Sequence, residues 1–374
     1  MKRTLGIEEE LLVVDAETGR ALAVSERVLG RAQGPDESRT GDHDGPGGRV
    51  EGELQQQQVE IDTPPHADLA ELEEELRSWR DVAVVAARKE GARIVASGTS
   101  PMPVDPRLVP KPRFARMGDR FGLTTAEHLS CGCHIHVSVE SDDEGVGVLD
   151  RIRVWLPTLL AISANSPYWQ GEDTGYASFR SQAMIRWPTA GPTDAFGSAE
   201  GYHRLVADMV ESGVILDKGM VYFDARLSDA YPTVEIRVAD VCLDARDTVL
   251  VAALCRGLVD TAAAEWADGS PAPDVPVAML RLATWQAGRE GVDGSLLDPV
   301  TSRPRPAAEV VADLVAHVRP ALEANGDLAL VEDRVEQVLT RGNGARRQRA
   351  VLEKTGQLYD VVADLARVTS GLDG

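Results

Sequence analysis

Three short runs place chemically capable side chains two residues apart. Glu8 and Glu10 lie in Gly6-Ile7-Glu8-Glu9-Glu10-Leu11, and His134 and His136 lie in Cys131-Gly132-Cys133-His134-Ile135-His136-Val137. Glu235 and Arg237 lie in Thr233-Val234-Glu235-Ile236-Arg237-Val238. Each run alternates in the manner of a strand, so residues i and i+2 share a face. Val234, Ile236 and Val238 then point to the core, and Glu235 and Arg237 point away from it. Taken singly, paired acids make a solvated face, paired histidines are satisfied or exposed, and Glu235 with Arg237 makes a salt bridge. Taken together, the three strands suggest a carboxylate-lined, histidine-assisted cavity for hard divalent cations such as Mg²⁺.

Two further features bear on that chemistry. The stretch Val50–Ile61 carries Glu53 and Glu60 around four consecutive glutamines, Gln55–Gln58. Seven residues apart, the two acids would face opposite ways on a straight strand, so one precedes the strand or a bulge intervenes. The Cys131-x-Cys133-His134-x-His136 pattern invites zinc, but the cysteine spacing is too tight and no second pair follows. Both cysteines would share a face with Ile135 and Val137, away from the histidines. They read as packed strand residues, without a base to make either a nucleophile.

Those strands need a framework, and the chain is long enough to supply one. Its 374 residues are 43% hydrophobic and 26% charged, ordinary for a globular protein with a sizeable core. A formal net charge of −21 argues against nonspecific binding to nucleic acid or an anionic membrane. No apolar run is long enough to span a bilayer, and the first strand begins too early for a signal peptide. Four cysteines do not make a disulfide framework, which suggests a reducing cytoplasm.

Along the chain, a first strand over about Thr4–Asp15 reaches a turn at 16–20, where a return strand can follow. Gly34–Gly48 is a glycine-rich loop without the ending of a phosphate-binding loop, and reads as a lid or hairpin loop. Asp68 caps a helix that runs to Gly91, with Glu71 completing a capping box. A buried strand at Ala92–Ala96, a helix at Leu149–Ala164 and another near Ser198–Ser212 follow. Gly171–Pro188 reads as irregular and rich in functional groups, among them Arg180, Arg186 and Trp187. From about 244 onward the chain is mostly helical, with breaks at Ser270–Pro276 and Arg303–Pro306. No repeat or linker divides it, so residues 1–374 are expected to form a single catalytic domain.

Six motifs in this order resemble a known family. They are Gly-Ile-Glu-Glu-Glu at 6–10, Cys-Gly-Cys-His-Ile-His-Val at 131–137 and Asn-Ser-Pro-Tyr-Trp at 165–169. After them come Asp-Thr-Gly-Tyr-Ala-Ser-Phe-Arg-Ser-Gln at 173–182, Arg-Trp-Pro-Thr-Ala-Gly at 186–191 and Tyr-Pro-Thr-Val-Glu-Ile-Arg-Val-Ala-Asp at 231–240. The chain resembles the bacterial type-2 glutamate–cysteine ligases, carboxylate–amine ligases related to glutamine synthetase. The likeness covers about residues 3–260, with a weaker echo at 342–349.

The resemblance implies an α+β fold: a curved, mostly antiparallel saddle-shaped sheet with helices on its outer face, as in glutamine synthetase. It implies ATP and at least two Mg²⁺ ions, and amide formation through an acyl phosphate on glutamate that an amine such as cysteine attacks. Carried over by position, Glu8, Glu10, Glu53, Glu60, His134 and Glu235 become metal ligands. Arg237 falls where the superfamily places a phosphate-facing arginine. The chemistry needs such an inventory: cations bridge the phosphates, and arginine forks offset charge on the transferring group. Arg180, Arg186 and Arg237 are the candidates, with Arg186 and Arg237 toward the nucleotide phosphates. Surface pairing or glutamate anchoring is the alternative for Arg180 and Arg186. The role of His136 stays open between substrate contact and strand orientation, and a homodimer is one expected assembly. Two other readings remain: a kinase phosphorylating a nitrogen on the same scaffold, and a catalytically silent regulatory relative, against which the complete acid set weighs.

Overall fold

The computed structural model describes residues 2–32 and 48–371. Apart from Gly48, the glycine-rich stretch expected as a lid or hairpin loop lies outside the described residues. Strands β1 (Leu5–Asp15), β2 (Arg49–Gly52), β3 (Gln58–Asp62), β4 (Ala92–Val95) and β5 (Gly132–Ser138) come first. A two-residue ladder, β6 (Tyr168–Trp169) with β7 (Glu172–Asp173), precedes β8 (Ala225–Leu227) and β9 (Thr233–Asp240). A second small ladder joins β10 (Ser295–Leu297) to β11 (Pro304–Pro306).

Seven strands make one open antiparallel sheet in the order β2-β3-β1-β5-β9-β8, with β4 also pairing to β1. Strand β1 is long enough to serve three neighbours. Its residues 8–12 pair with β3, its first half pairs with β5, and Leu12–Asp15 pairs with β4. Helices Leu69–Arg88 and Ala245–Ala267 pack on one face of the sheet, covering Ile7, Leu11, Ile135 and Ile236. The architecture is therefore α+β, an antiparallel sheet with two long helices packed on one face. Beyond Asp244 the described elements are helices, apart from the β10–β11 ladder.

The middle acid of the first motif belongs to this covered face. Glu9 is fully buried, and Arg80 from helix Leu69–Arg88 clasps both its oxygens at 2.7 Å. Thr248 donates a third bond to Glu9 at 2.7 Å, and Arg80 also donates to the carbonyls of Cys242 and Leu243. The pair ties β1 to both covering helices. Removing one member strands a buried charge, a change that costs about 3–5 kcal/mol. Arg80→Ala is thus expected to lower unfolding free energy by about that much in urea titrations. A change below about 1 kcal/mol, the range of exposed pairs, would show that the clasp carries little of the fold.

Several local expectations meet the structure with adjustments. Asp68 caps its helix, accepting from the amides of Ala70 and Glu71. The expected helix at Leu149–Ala164 is two, Asp142–Ile152 and Leu156–Ser163, because Pro157 sits in the first turn of the second. The return after the first turn is only a bridge between Ala21 and Val14. The four glutamines are structural staples: Gln55, Gln56, Gln57 and Gln58 donate to carbonyls of His128, Leu108, Asp105 and Ser130. They fasten the β2–β3 connection to the segment leading into β5.

Candidate active site

The uncovered face of the sheet carries the acids and imidazoles. Cross-strand register sets Glu10 opposite Glu60, Glu8 opposite His134, and His136 opposite Glu235. A bulge brings Arg237 to the same place: between the Cys133–Ala239 and Ile135–Ile236 pairs, β5 spends one residue and β9 two. Glu53 lies just past the end of β2, before the strand that carries Glu60, which is how the seven-residue spacing resolves.

These groups form two clusters. Glu10, Glu53 and Glu60 present ligand atoms all within 4.8 Å of one another, and so do Glu8, His136 and Glu235. His134 stands beside the second cluster, with Nδ1 3.0 Å from Glu8 and 4.0 Å from Glu235. His136 reaches Glu8 through Nε2 at 3.1 Å, while its Nδ1 meets the Thr233 hydroxyl at 2.9 Å.

The clusters differ in electrostatics. Burial works against an ionised Glu8, yet hydrogen bonds with His134 and His136 hold its carboxyl well below the usual range. Glu235 is also buried, but Arg237 and Arg226 bring it down to about 2. Arg226 forks it at 2.6 and 3.1 Å, and Arg237 bonds to it as well. In the other cluster no arginine forks a carboxylate among the described residues, and the Leu54 amide and the charge of Arg237 offset the shift of Glu53 only in part. Burial and then the neighbouring Glu10 push Glu53 up to about 7. Burial, Glu53 and Glu8 push Glu60 well above the carboxylate range. A dense set of oxygen donors with so little cationic compensation suits a hard divalent cation, which would offset the repulsion that raises these acids.

A cavity of about 270 Å³ opens over the Glu10–Glu53–Glu60 cluster and reaches Glu8 of the second, whose His136 and Glu235 lie outside its lining. Arg180 and Arg237 line it together with Glu8, Glu10, Glu53, Glu60 and His134. Arg180 lies along the backbone of β9, donating to the carbonyls of Arg237 and Val238 at 3.4 Å. Gly132 makes room for it, since a Cβ at that position would overlap the guanidinium. Arg186 is not among the lining residues: it pairs with the half-exposed Glu127 at 2.7 Å and lies over the Trp169 ring. Cys131 and Cys133 are buried away from both clusters, and burial pushes their thiols well up. The arginines at 346, 347 and 349 pair with Asp293, Asp364 and Asp173.

Among the lining residues that escaped the sequence reading are Arg113, His128, Tyr222 and Arg226. Arg226 and Tyr222 carried a signal, because Tyr222, Asp224 and Arg226 alternate with the buried Val221, Phe223 and Ala225. Arg113 carried none. Its position comes from the helix Pro112–Phe121 and a fork to Asp217 at 2.8 Å.

The model of glutamate–cysteine ligase family 2 matches residues 4–364. A Streptomyces avermitilis protein, provisionally named glutamate–cysteine ligase 2-1, is 52% identical over 369 residues, 99% of this chain and 100% of the relative. The chain belongs to glutamate–cysteine ligase family 2. A Streptomyces coelicolor protein with the same provisional family name is 51% identical, over 98% of this chain and 99% of the relative. Membership makes this chain an ATP-dependent carboxylate–amine ligase. Among solved structures, the glutamate–cysteine ligase of Francisella tularensis in complex with AMP aligns with a TM-score of 0.70. It shares 13% identity, covering all of this chain and 89% of that one, so it shows the common fold alone. That fold is of the glutamine-synthetase-like type. Among the described residues, no helix of this family member is long and apolar enough to cross a membrane.

Proposed function

We propose that this protein joins the γ-carboxylate of glutamate to an amine, cysteine being the first to test, through a γ-glutamyl phosphate formed from ATP. The observation that carries this reading is one cavity lined by Glu8, Glu10, Glu53, Glu60, His134 and the two arginines Arg180 and Arg237, with Glu8 also belonging to the cluster of His136 and Glu235. Glu10, Glu53 and Glu60 would hold one Mg²⁺, and Glu8 and Glu235 with His134 or His136 a second. Held there, Mg²⁺ would supply positive charge that offsets the negative charge of phosphate groups. Arg237 directs guanidinium donors into the cavity and stabilises charge on the phosphoryl group in transfer. Arg180, fixed on the β9 backbone, holds an anionic group of a substrate. Arg186 is placed for a rim contact with the nucleotide only if it leaves Glu127. Residues 1–374 act as one catalytic domain in the cytoplasm, and a homodimer is the expected assembly.

A carboxylate is a poor electrophile because oxide is a poor leaving group, and phosphorylation supplies a good one. Incubation with glutamate, ATP, Mg²⁺ and hydroxylamine is therefore expected to give γ-glutamyl hydroxamate, identified by mass. Carboxylate oxygen labelled with ¹⁸O should appear in the released phosphate. Labelled glutamate that turns over without passing its oxygen to phosphate would rule out the acyl-phosphate route. A stable phosphorylated nitrogen product would instead identify a kinase.

A further inference from the structure

Behind the active-site cavity lies a second chamber of about 40 Å³, room for about three waters at roughly 10–15 Å³ each. Arg180, Met184, Tyr222 and Arg237 line both spaces, which adjoin at these residues. Three polar atoms of the chamber's lining are buried without a hydrogen-bond partner: Asp224 Oδ2, Arg180 Nε and Thr284 Oγ1. Buried polar groups are ordinarily satisfied, and three orphans around one small space call for water there. Asp224 itself is held firmly, its amide donating to Gly191 and its carbonyl accepting from Arg237, 3.1 and 2.9 Å.

The reaction class leaves a task that the residues described so far do not perform. An amine in neutral water is largely an ammonium ion and must lose a proton before its lone pair can attack. Glu8 and Glu235 are committed to histidines and arginines, and Glu10, Glu53 and Glu60 form the cation cluster. His128 lines the main cavity, but burial holds it at about 4, and its Nδ1 accepts from Trp187. Asp240, 4.0 Å from Arg180, is taken up by bonds from Asn165, Ser166 and Ser178, which leaves Asp224, for which the described residues offer no ion pair. Burial raises it to about 7, an effect that Arg180 only partly offsets, which puts it in the range suited to a general base working at neutral pH. The charged and titratable groups lining the chamber with it are Arg180, Arg237 and Tyr222. The helix Val277–Glu290 contributes only Thr284.

We infer that Asp224 receives, through water in this chamber, the proton that the incoming amine loses before attack. The inference rests on the acyl-phosphate reading. Proton transfer converts the ammonium to a free amine and Asp224 to its acid. The new N–C bond then forms as the C–O bond to phosphate breaks. The electron pair of that bond leaves with phosphate, which also takes the second nitrogen proton, and Asp224 returns its proton to solvent.

The test compares two acceptors on the unmodified enzyme and Asp224→Asn. One is the amino acid that the enzyme couples fastest in a panel of twenty; the other is hydroxylamine, which is already neutral at neutral pH. For the amino acid, Asp224→Asn should lower kcat/KM at least about a hundredfold at pH 7, the scale of lost general-base catalysis. That loss should shrink as pH rises above the amine's own pKa. Hydroxamate formation by the same preparation should stay within a few-fold, which also reports that the variant is folded. Equal loss with both acceptors would overturn the inference in favour of a structural role, and no loss with either would overturn it outright. Failure of the unmodified enzyme to form hydroxamate would instead overturn the acyl-phosphate reading on which it stands.

Discussion

Glu8→Gln and Glu235→Gln are each expected to lower turnover at least about a hundredfold, or about 2.7 kcal/mol of transition-state stabilisation. The two acids sit on β1 and β9, the strands on either side of β5, and both are kept ionised against burial, by imidazoles for Glu8 and mainly by arginines for Glu235. An amide in either place keeps the shape and removes one negative charge from the Glu8–His136–Glu235 cluster. Turnover in the variants should also need more Mg²⁺, because one ligand charge is gone. Folding should change little, since Glu8 is partly open to the cavity and Glu235→Gln can still accept from Arg226. Full turnover of both variants at limiting Mg²⁺ would remove the cation assignment.

The strand faces explain why so much of this site was legible in the sequence. Period two alone put Glu8 with Glu10 and Glu235 with Arg237, and the structure keeps each pair on the uncovered face of the sheet. The same period implied that Glu9 points into the core, where an acid needs a partner, but only tertiary packing supplies Arg80 from another element. Glu53 followed no period because it lies beyond a strand end. Its approach to Glu10 and Glu60 depends on the β2–β3 connection, which the glutamines fasten. Arg186 shows the opposite case. Its motif suggested phosphate, but sequence spacing could not show that Glu127 stands within reach. Asp224 carried an alternation signal, yet its lack of a partner is visible only once the chamber is assembled.

Arg237→Lys separates a phosphate-facing arginine from a structural ion pair, because both roles place it beside Glu235. Were the ion pair its purpose, lysine would keep a charge there and the change would be mild. The structure weakens that role further: Arg226 already makes two bonds to Glu235, so the carboxylate stays paired without Arg237. Arg237 lines the cavity as well, and Glu235 with Glu8 holds its guanidinium firmly protonated despite burial. Lysine has no planar fork and would replace directed donors with a point charge. Arg237→Lys is therefore expected to lose about a hundredfold in kcat, comparable with removal of one transition-state donor. Its Tm should move by only a few degrees, the shift of roughly 1 kcal/mol in a chain of this size. A fall in Tm that accounts for the lost activity would assign Arg237 to the fold, and unchanged kcat would take it out of the reaction.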